Sequence, residues 1–335
     1  MKAYEIQEFG IDKLAHVELD TPSPADGEVV VKLHAASLNY RDVMVASGTY
    51  NPRMKLPAIP LSDAAGEIVE VGAGVTKWNV GMRVCSCVIP GWVSGGPTAE
   101  ASKTAIGAGG LTGVAREYAT FKEDAIVAAP ENLSFCDAAA LPCAAVTAWH
   151  ALAVSGQVQP GETVLTLGTG GVSVFAVQFA KAMGARVIST SSSDEKLARI
   201  RDLGADETIN YTTTPDWDKA VLELTGGRGV DHVVEVGGSG TLTRSIKSVR
   251  VGGHIALIGA LDMAGELNPI PIFMKGIRVQ GIFIGSREMF EQMDRFIEKH
   301  ELTPVIDRTF GFDDLPEALH YMESGSHFGK IVISY

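Results

Sequence analysis

The chain is poor in cysteine, in basic charge and in long apolar runs. Its four cysteines, Cys85, Cys87, Cys136 and Cys143, include no Cys-x-x-Cys pair and no Cys/His group at zinc-ribbon spacing. A disulfide framework is not expected in so long a chain. Lys and Arg total 28 against 40 Asp and Glu, for a net charge of −12, and no run of five basic residues occurs. Such a surface repels a phosphate backbone, so no nucleic-acid partner is expected. No stretch is long and apolar enough to span a membrane. The opening residues Met1 to Gly10 lack the charged, apolar, small-residue order of a signal peptide, and a cytoplasmic location is the expectation. Glycine, by contrast, is plentiful at 37 residues. It suits a fold with many tight turns and close backbone approaches.

A length of 335 residues points to two domains. Residues 1 to about 125 read as β-rich, with β-branched or alternating runs at Glu28–Ala35, Gly66–Gly72 and Gly81–Val88. Residues 91–114 are rich in Gly, Ala, Ser and Thr without periodicity, and read as a long loop. A helical stretch starts at Asp137 and runs past Pro142 to Ala153. From Glu162 to Gly285 strands and helices alternate. Strands are expected at 163–167, 186–190, 207–209, 231–236, 254–259 and 277–283, and helices at 173–183, 194–203, 215–225 and 240–249. That alternation implies βαβ units and a doubly wound parallel sheet, an α/β fold. Helices near 288–300 and 315–324 and a strand from Lys330 close the chain.

The strand Thr163–Leu167 runs into Gly168-Thr169-Gly170-Gly171-Val172-Ser173 and then into an apolar helix. A glycine bend between strand and helix aims free backbone N–H groups and the positive helix end at a pyrophosphate. Ser173 stands where a third glycine is usual. Spacing alone would also fit a tight turn in another α/β protein; the strand–turn–helix–strand order favours the dinucleotide. An NAD site usually carries Asp or Glu at the tip of the second strand. Here that tip is Ser191-Ser192-Ser193-Asp194-Glu195-Lys196, with hydroxyl donors and a lysine one turn on, which favours a 2′-phosphate and NADP(H). Ser192 to Glu195 reads equally as a capping box. Asn210-Tyr211 and Glu235-Val-Gly237-Gly238 follow the third and fourth strands, where the adenine and ribose edge would lie.

These motifs, with Ser37-Leu-Asn-Tyr-Arg-Asp42, Leu141-Pro-Cys-Ala-Ala-Val-Thr-Ala-Trp149, Leu203-Gly-Ala-Asp206, Thr225-Gly-Gly-Arg-Gly-Val-Asp231 and Gly325-Ser-His-Phe-Gly-Lys330-Ile-Val332, resemble the medium-chain dehydrogenase/reductase superfamily on its quinone-reductase-like branch. The resemblance spans essentially the whole chain. It implies a GroES-like catalytic domain from residues 1–127 and 286–335, a Rossmann domain over 128–285, and a cleft where nicotinamide meets substrate. It also implies a homodimer through the edge strand Arg278–Phe283. Thr147 matches a position near the nicotinamide carboxamide. Ser191, Lys196 and Tyr211 match positions that hold the 2′-phosphate. The candidate dinucleotide contacts are completed by Asn39, Ser192, Gly237, Gly259, Phe283 and Lys330.

Zinc-dependent relatives bind catalytic zinc through Cys, His and Cys. The matching positions are Asn39, Ser62 and Cys143, followed after Ser62 by Asp63, and residues 91–114 hold no cysteine. Catalytic zinc needs three protein ligands and a water, so no metal is expected. Cys143 then reads as a small buried hydrophobe or as a pocket thiol. Without a metal, a developing oxyanion needs protein donors; Asn39, Tyr40 and Tyr50 are the candidates. Tyr50 could equally be a rim residue, Arg41 and Asp42 read as a structural pair, and Trp92 and Phe283 as pocket walls. The expected activity is hydride transfer to a quinone, enone or other activated carbonyl. The alternatives are a zinc-free alcohol or aldehyde dehydrogenase and a non-catalytic NADPH-binding protein.

Overall fold

The computed structural model describes residues 1–259 and 267–335. In chain order the strands are β1 (Lys2–Ile6), β2 (Leu14–Glu18), β3 (Glu28–Ser37), β4 (Asp63–Val71), β5 (Arg83–Ser86), β6 (Tyr118–Lys122) and β7 (Ile126–Ala128), then β8 (Thr163–Leu167), β9 (Arg186–Ser191), β10 (Glu207–Asn210), β11 (Val230–Glu235), β12 (Val249–Leu257) and β13 (Arg278–Gly281), and finally β14 (Ile306–Gly311) and β15 (Lys330–Ser334). The chain divides into two units. Unit 1 comprises Met1–Val146 and Gly285–Tyr335, and unit 2 is Thr147–Ile284. Residues 128–146 therefore belong with unit 1, where the sequence reading had joined them to the nucleotide half. Their helix Phe135–Ala139 packs on β3 and β4 of that unit.

Unit 2 holds six parallel strands in the order β10-β9-β8-β11-β12-β13. The order reverses between β8 and β11. In open α/β sheets, ligands gather at the carboxyl ends of strands beside such a reversal. Strand β8 is buried along its whole length, as a parallel sheet covered on both faces requires. Expected strand 254–259 starts earlier, at Val249, and expected strand 277–283 is the shorter β13. Boundaries of this kind are set by tertiary pairing that propensity does not see.

In unit 1, a sheet runs β14-β15-β3-β4-β5-β7, with β6 added on β3. Its core gathers Leu33, Leu38, Ile68, Ile126, Leu319 and Ile331. The helix Arg287–Lys299 is amphipathic, burying Met289, Phe290, Met293 and Ile297, and its N-cap Ser286 accepts the Met289 N–H at 3.2 Å. The 91–114 segment is less loose than its composition suggests. Thr98 caps a one-turn helix at Ala99–Ser102, and Arg41 and Asn51 donate to the carbonyls of Ile106 and Ala108. The helical stretch expected over 137–153 is broken into α and π turns, with π segments at Leu141–Ala145 and His150–Gly156. Pro142 removes one helical N–H, and wide turns of this type cluster at functional sites. No described helix is long and apolar enough to cross a membrane.

Candidate functional site

In unit 2 the glycine bend has the geometry a dinucleotide requires. Gly168 sits at φ +70°, which a side chain would strain. Helix Gly171–Ala182 begins on Gly170 with no side-chain cap, leaving its first N–H groups open for a ligand. Thr169 is buried beside it. Ser173 donates its hydroxyl to Leu167 O at 2.6 Å, which ties helix to strand and accounts for serine at the third glycine position.

The tips of β9 and β10 come together, with Asn210 opposite Ser191 and the Tyr211 N–H donating to Ser191 O at 3.0 Å. The cap of helix Asp194–Asp202 is Ser193, not Ser192: the Ser193 hydroxyl accepts the Lys196 N–H at 3.3 Å. Ser191 is buried, its hydroxyl accepting the Ser193 N–H. Ser192 is exposed. Tyr211 is exposed and Lys196 half-buried. Asn210 is committed to the turn, donating to Asp194 at 2.7 Å and accepting from the Thr212 N–H.

Glu235 is a structural group. It is fully buried, and its carboxylate accepts from the N–H groups of Gly237 (2.8 Å) and Gly238 (3.2 Å) and from the hydroxyls of Thr241 and Ser245. Gly259 packs against the same loop: a Cβ there would lie 1.7 Å from Val236 O. Thr147 is buried and Phe283 is 44% exposed.

Unit 1 collects a second set of polar groups. Asn39 starts helix Tyr40–Ala46, and its N–H donates to Asp42 Oδ2 at 2.8 Å. Lys330, counted among the candidate dinucleotide contacts, is 2% exposed. Its ammonium donates to Leu38 O at 2.5 Å and to Asn39 Oδ1 at 2.7 Å. Arg41 Nε lies 4.0 Å from Asp42 Oδ1, and its guanidinium lies 5.7 Å from the Tyr50 ring centre. Burial pushes the Asp42 carboxyl up to about 6. Asn39 Nδ2, Asp42 Oδ1 and two Arg41 nitrogens are shielded from water and have no hydrogen-bond partner among the described residues. Tyr40 and Tyr50 are 45% and 37% exposed. Trp92, expected as a wall, is buried, and its indole N–H donates to Gly95 O at 2.9 Å.

The Asn39, Ser62 and Cys143 positions are all engaged in hydrogen bonds within unit 1. Asn39 Oδ1 is taken by a cation. Ser62 donates to Asp63 Oδ1 at 2.6 Å, and the Cys143 N–H donates to Asp63 Oδ2 at 3.0 Å. Burial, with Asp63 beside it, raises the Cys143 thiol to about 12. Sequence reasoning passed over the meaning of Lys330. The signal was a lone cation opening an otherwise apolar strand, Lys-Ile-Val-Ile.

Two family models match: the alcohol dehydrogenase GroES-like domain over residues 25–131 and the zinc-binding dehydrogenase over 171–299. The chain is 45% identical to a zinc-type alcohol dehydrogenase-like protein of Schizosaccharomyces pombe, over 97% of this chain and 96% of that one. It is 29% identical to a quinone oxidoreductase of Rattus norvegicus, over 99% and 97%. Among solved structures, an NAD-dependent alcohol dehydrogenase matches at TM-score 0.91 and 34% identity, covering both chains fully. A mycobacterial protein complexed with NADPH matches at TM-score 0.84 and 27% identity, again over all of both chains.

Proposed function

The chain belongs to the medium-chain dehydrogenase/reductase superfamily and is an oxidoreductase; from that premise we propose that it uses NADP(H) without zinc and delivers hydride to a quinone or conjugated carbonyl. The observation that carries this reading is the donor set where a metal would need ligands: the Asn39 amide oxygen held by the buried Lys330 ammonium, and the Ser62 hydroxyl bonded to Asp63. Bound NADPH supplies a hydride from C4 of its nicotinamide. Unit 2 holds the dinucleotide through the Gly168–Gly171 bend, with Thr147, Gly237, Gly259 and Phe283 as further candidates. Ser191, Ser192, Lys196 and Tyr211 receive the 2′-phosphate. In unit 1, Asn39 Nδ2 donates to the acceptor oxygen, with Tyr40 and Tyr50 as neighbouring phenols. The Asn39 amide would donate to the acceptor oxygen as it gains charge on reduction, with the proton drawn from water. Conjugation spreads that charge, so one amide donor suffices.

The NADPH-bound relative and the absence of a carboxylate at the β9 tip support NADP(H). The names of the yeast and NAD-dependent relatives favour a second reading, alcohol–aldehyde interconversion on the same metal-free site. Thermal protection tests the cofactor: NADPH should raise the unfolding midpoint more than NADH does at equal concentration, by mass action. Equal protection would overturn the choice of NADP(H). Oxidation of NADPH by 1,4-benzoquinone or an alkenal, but not by a simple aldehyde, supports the first activity; the reverse preference supports the second. Inertness toward all of them would favour a binding protein. One zinc per purified chain would falsify the metal-free assignment. The exposed β13 edge, with Ile270, Phe273 and Met274 exposed nearby, supports a homodimer, and a monomer mass by light scattering would rule it out.

A further inference from the structure

We propose that Lys330 is a positioning residue that fixes the Asn39 amide with Nδ2 as the presented donor and strengthens that donor electrostatically. This rests on the reading that Asn39 Nδ2 meets the acceptor oxygen. Asn39 is clamped at both ends. Asp42 Oδ2 holds its backbone N–H at 2.8 Å, and the Lys330 ammonium holds its side-chain oxygen at 2.7 Å. A primary amide can present oxygen or nitrogen on either side by a half-turn. An ammonium carries three donors and no acceptor, so Oδ1 must face it. The donor end is thereby turned the other way by chemistry.

Nδ2 carries two N–H groups and is shielded from water, with no partner among the described residues. An orphan buried donor costs about 1–3 kcal/mol. That cost is relieved when a ligand oxygen arrives, and most fully when the oxygen gains charge as hydride transfers. The ammonium adds to this. By drawing electron density through Oδ1 it polarises the amide, and chained hydrogen bonds strengthen one another in a low-dielectric setting. A cation that a metal would supply elsewhere acts here one amide away from the reacting oxygen. Lys330 is anchored for the task. It opens β15, is 2% exposed, and spends a second N–H on Leu38 O at 2.5 Å. The backbone carbonyl and the side chain of neighbouring residues thus hold the same nitrogen.

A double-mutant cycle tests the proposal with NADPH and 1,4-benzoquinone as the assayed pair. Asn39→Ala should lower kcat about 100-fold, the usual loss of one oxyanion donor. Lys330→Met should lower kcat about 10-fold, with the NADPH KM within about 3-fold, because the amide loses its fixed orientation and polarisation. In the Asn39→Ala background, Lys330→Met should cost no further rate, since the residue it acts through is gone. A purely structural lysine would lose rate in both backgrounds, so independent, multiplying losses overturn the proposal. An unchanged kcat in Asn39→Ala overturns the reading of Asn39 itself, a separate failure. Lys330→Gln keeps a donor at shorter reach and serves as the second variant should Lys330→Met not fold. It should retain more rate than Met and again show no effect without Asn39. Loss from Lys330→Gln in the Asn39→Ala background would overturn the coupling.

Discussion

Glu235 in unit 2 and Asp42 in unit 1 are both carboxylates sealed from water, and the chain treats them differently. Glu235 receives two backbone N–H groups and two hydroxyls, at or near its full capacity. Asp42 receives one backbone N–H on Oδ2, while Oδ1 has only Arg41 Nε, 4.0 Å away. A saturated buried charge stiffens a loop. An unsaturated one, beside an amide donor that also lacks a partner, stores free energy that a ligand can release.

The largest effect should come from the saturated group. Glu235→Ala strands four donors aimed at one buried point, and breaking a buried charged network costs about 3–5 kcal/mol. The midpoint of chemical denaturation for unit 2 should fall accordingly, and NADPH should protect the variant less. A loss under about 1 kcal/mol would show that Glu235 is no more strongly held than Asp42.

The unsaturated group should respond to pH. Because burial raises the Asp42 carboxyl to about 6, the native state favours its protonated form. The stability this contributes is fully present below the unfolded-state value near 3.8 and is lost as pH rises through about 6. At pH 7.5 the buried carboxylate is then a burden of up to about 3 kcal/mol, at about 1.4 kcal/mol per unit. Asp42→Asn keeps an oxygen for the Asn39 N–H and removes the charge. It should stabilise the protein at pH 7.5 and change little at pH 4. Equal effects at both pH values would show that Asp42 is compensated as fully as Glu235.

The same contrast explains what could be read from sequence. The Gly168–Ser173 bend, the parallel alternation after Glu162 and the amphipathic 287–299 helix are local patterns, with cause and consequence within one turn or one strand. The pair formed by Asn39 and Lys330 is separated by most of the chain, and no periodicity links them. Lys330 was legible only as a candidate dinucleotide contact, with nothing in the sequence tying it to Asn39. The cap of the second nucleotide helix shows the limit at short range. Ser191, Ser192 and Ser193 all suit a cap, and only the path of β9 into the helix selects Ser193. The helical stretch around Pro142 and His150 was legible, but its π turns were not, because wide turns depend on what they pack against.

That choice of cap bears on the smallest expected effect. With Ser193 holding the helix start, Ser192 stays exposed, and the Lys196 backbone is anchored while its half-buried side chain is not part of the cap. Removing that side chain should leave the helix intact. If, as proposed, this partly exposed lysine faces a 2′-phosphate, the pair is worth about 1 kcal/mol, screened by salt. Lys196→Ala should therefore raise the NADPH KM about fivefold at low ionic strength, less at 0.5 M salt, and leave the NADH KM unchanged. An equal rise for both cofactors would place the lysine on the shared part of the dinucleotide. No change for either would leave the serines and Tyr211 to carry the selection. The measurement isolates one charge on unit 2 while leaving the polar cluster of unit 1 untouched.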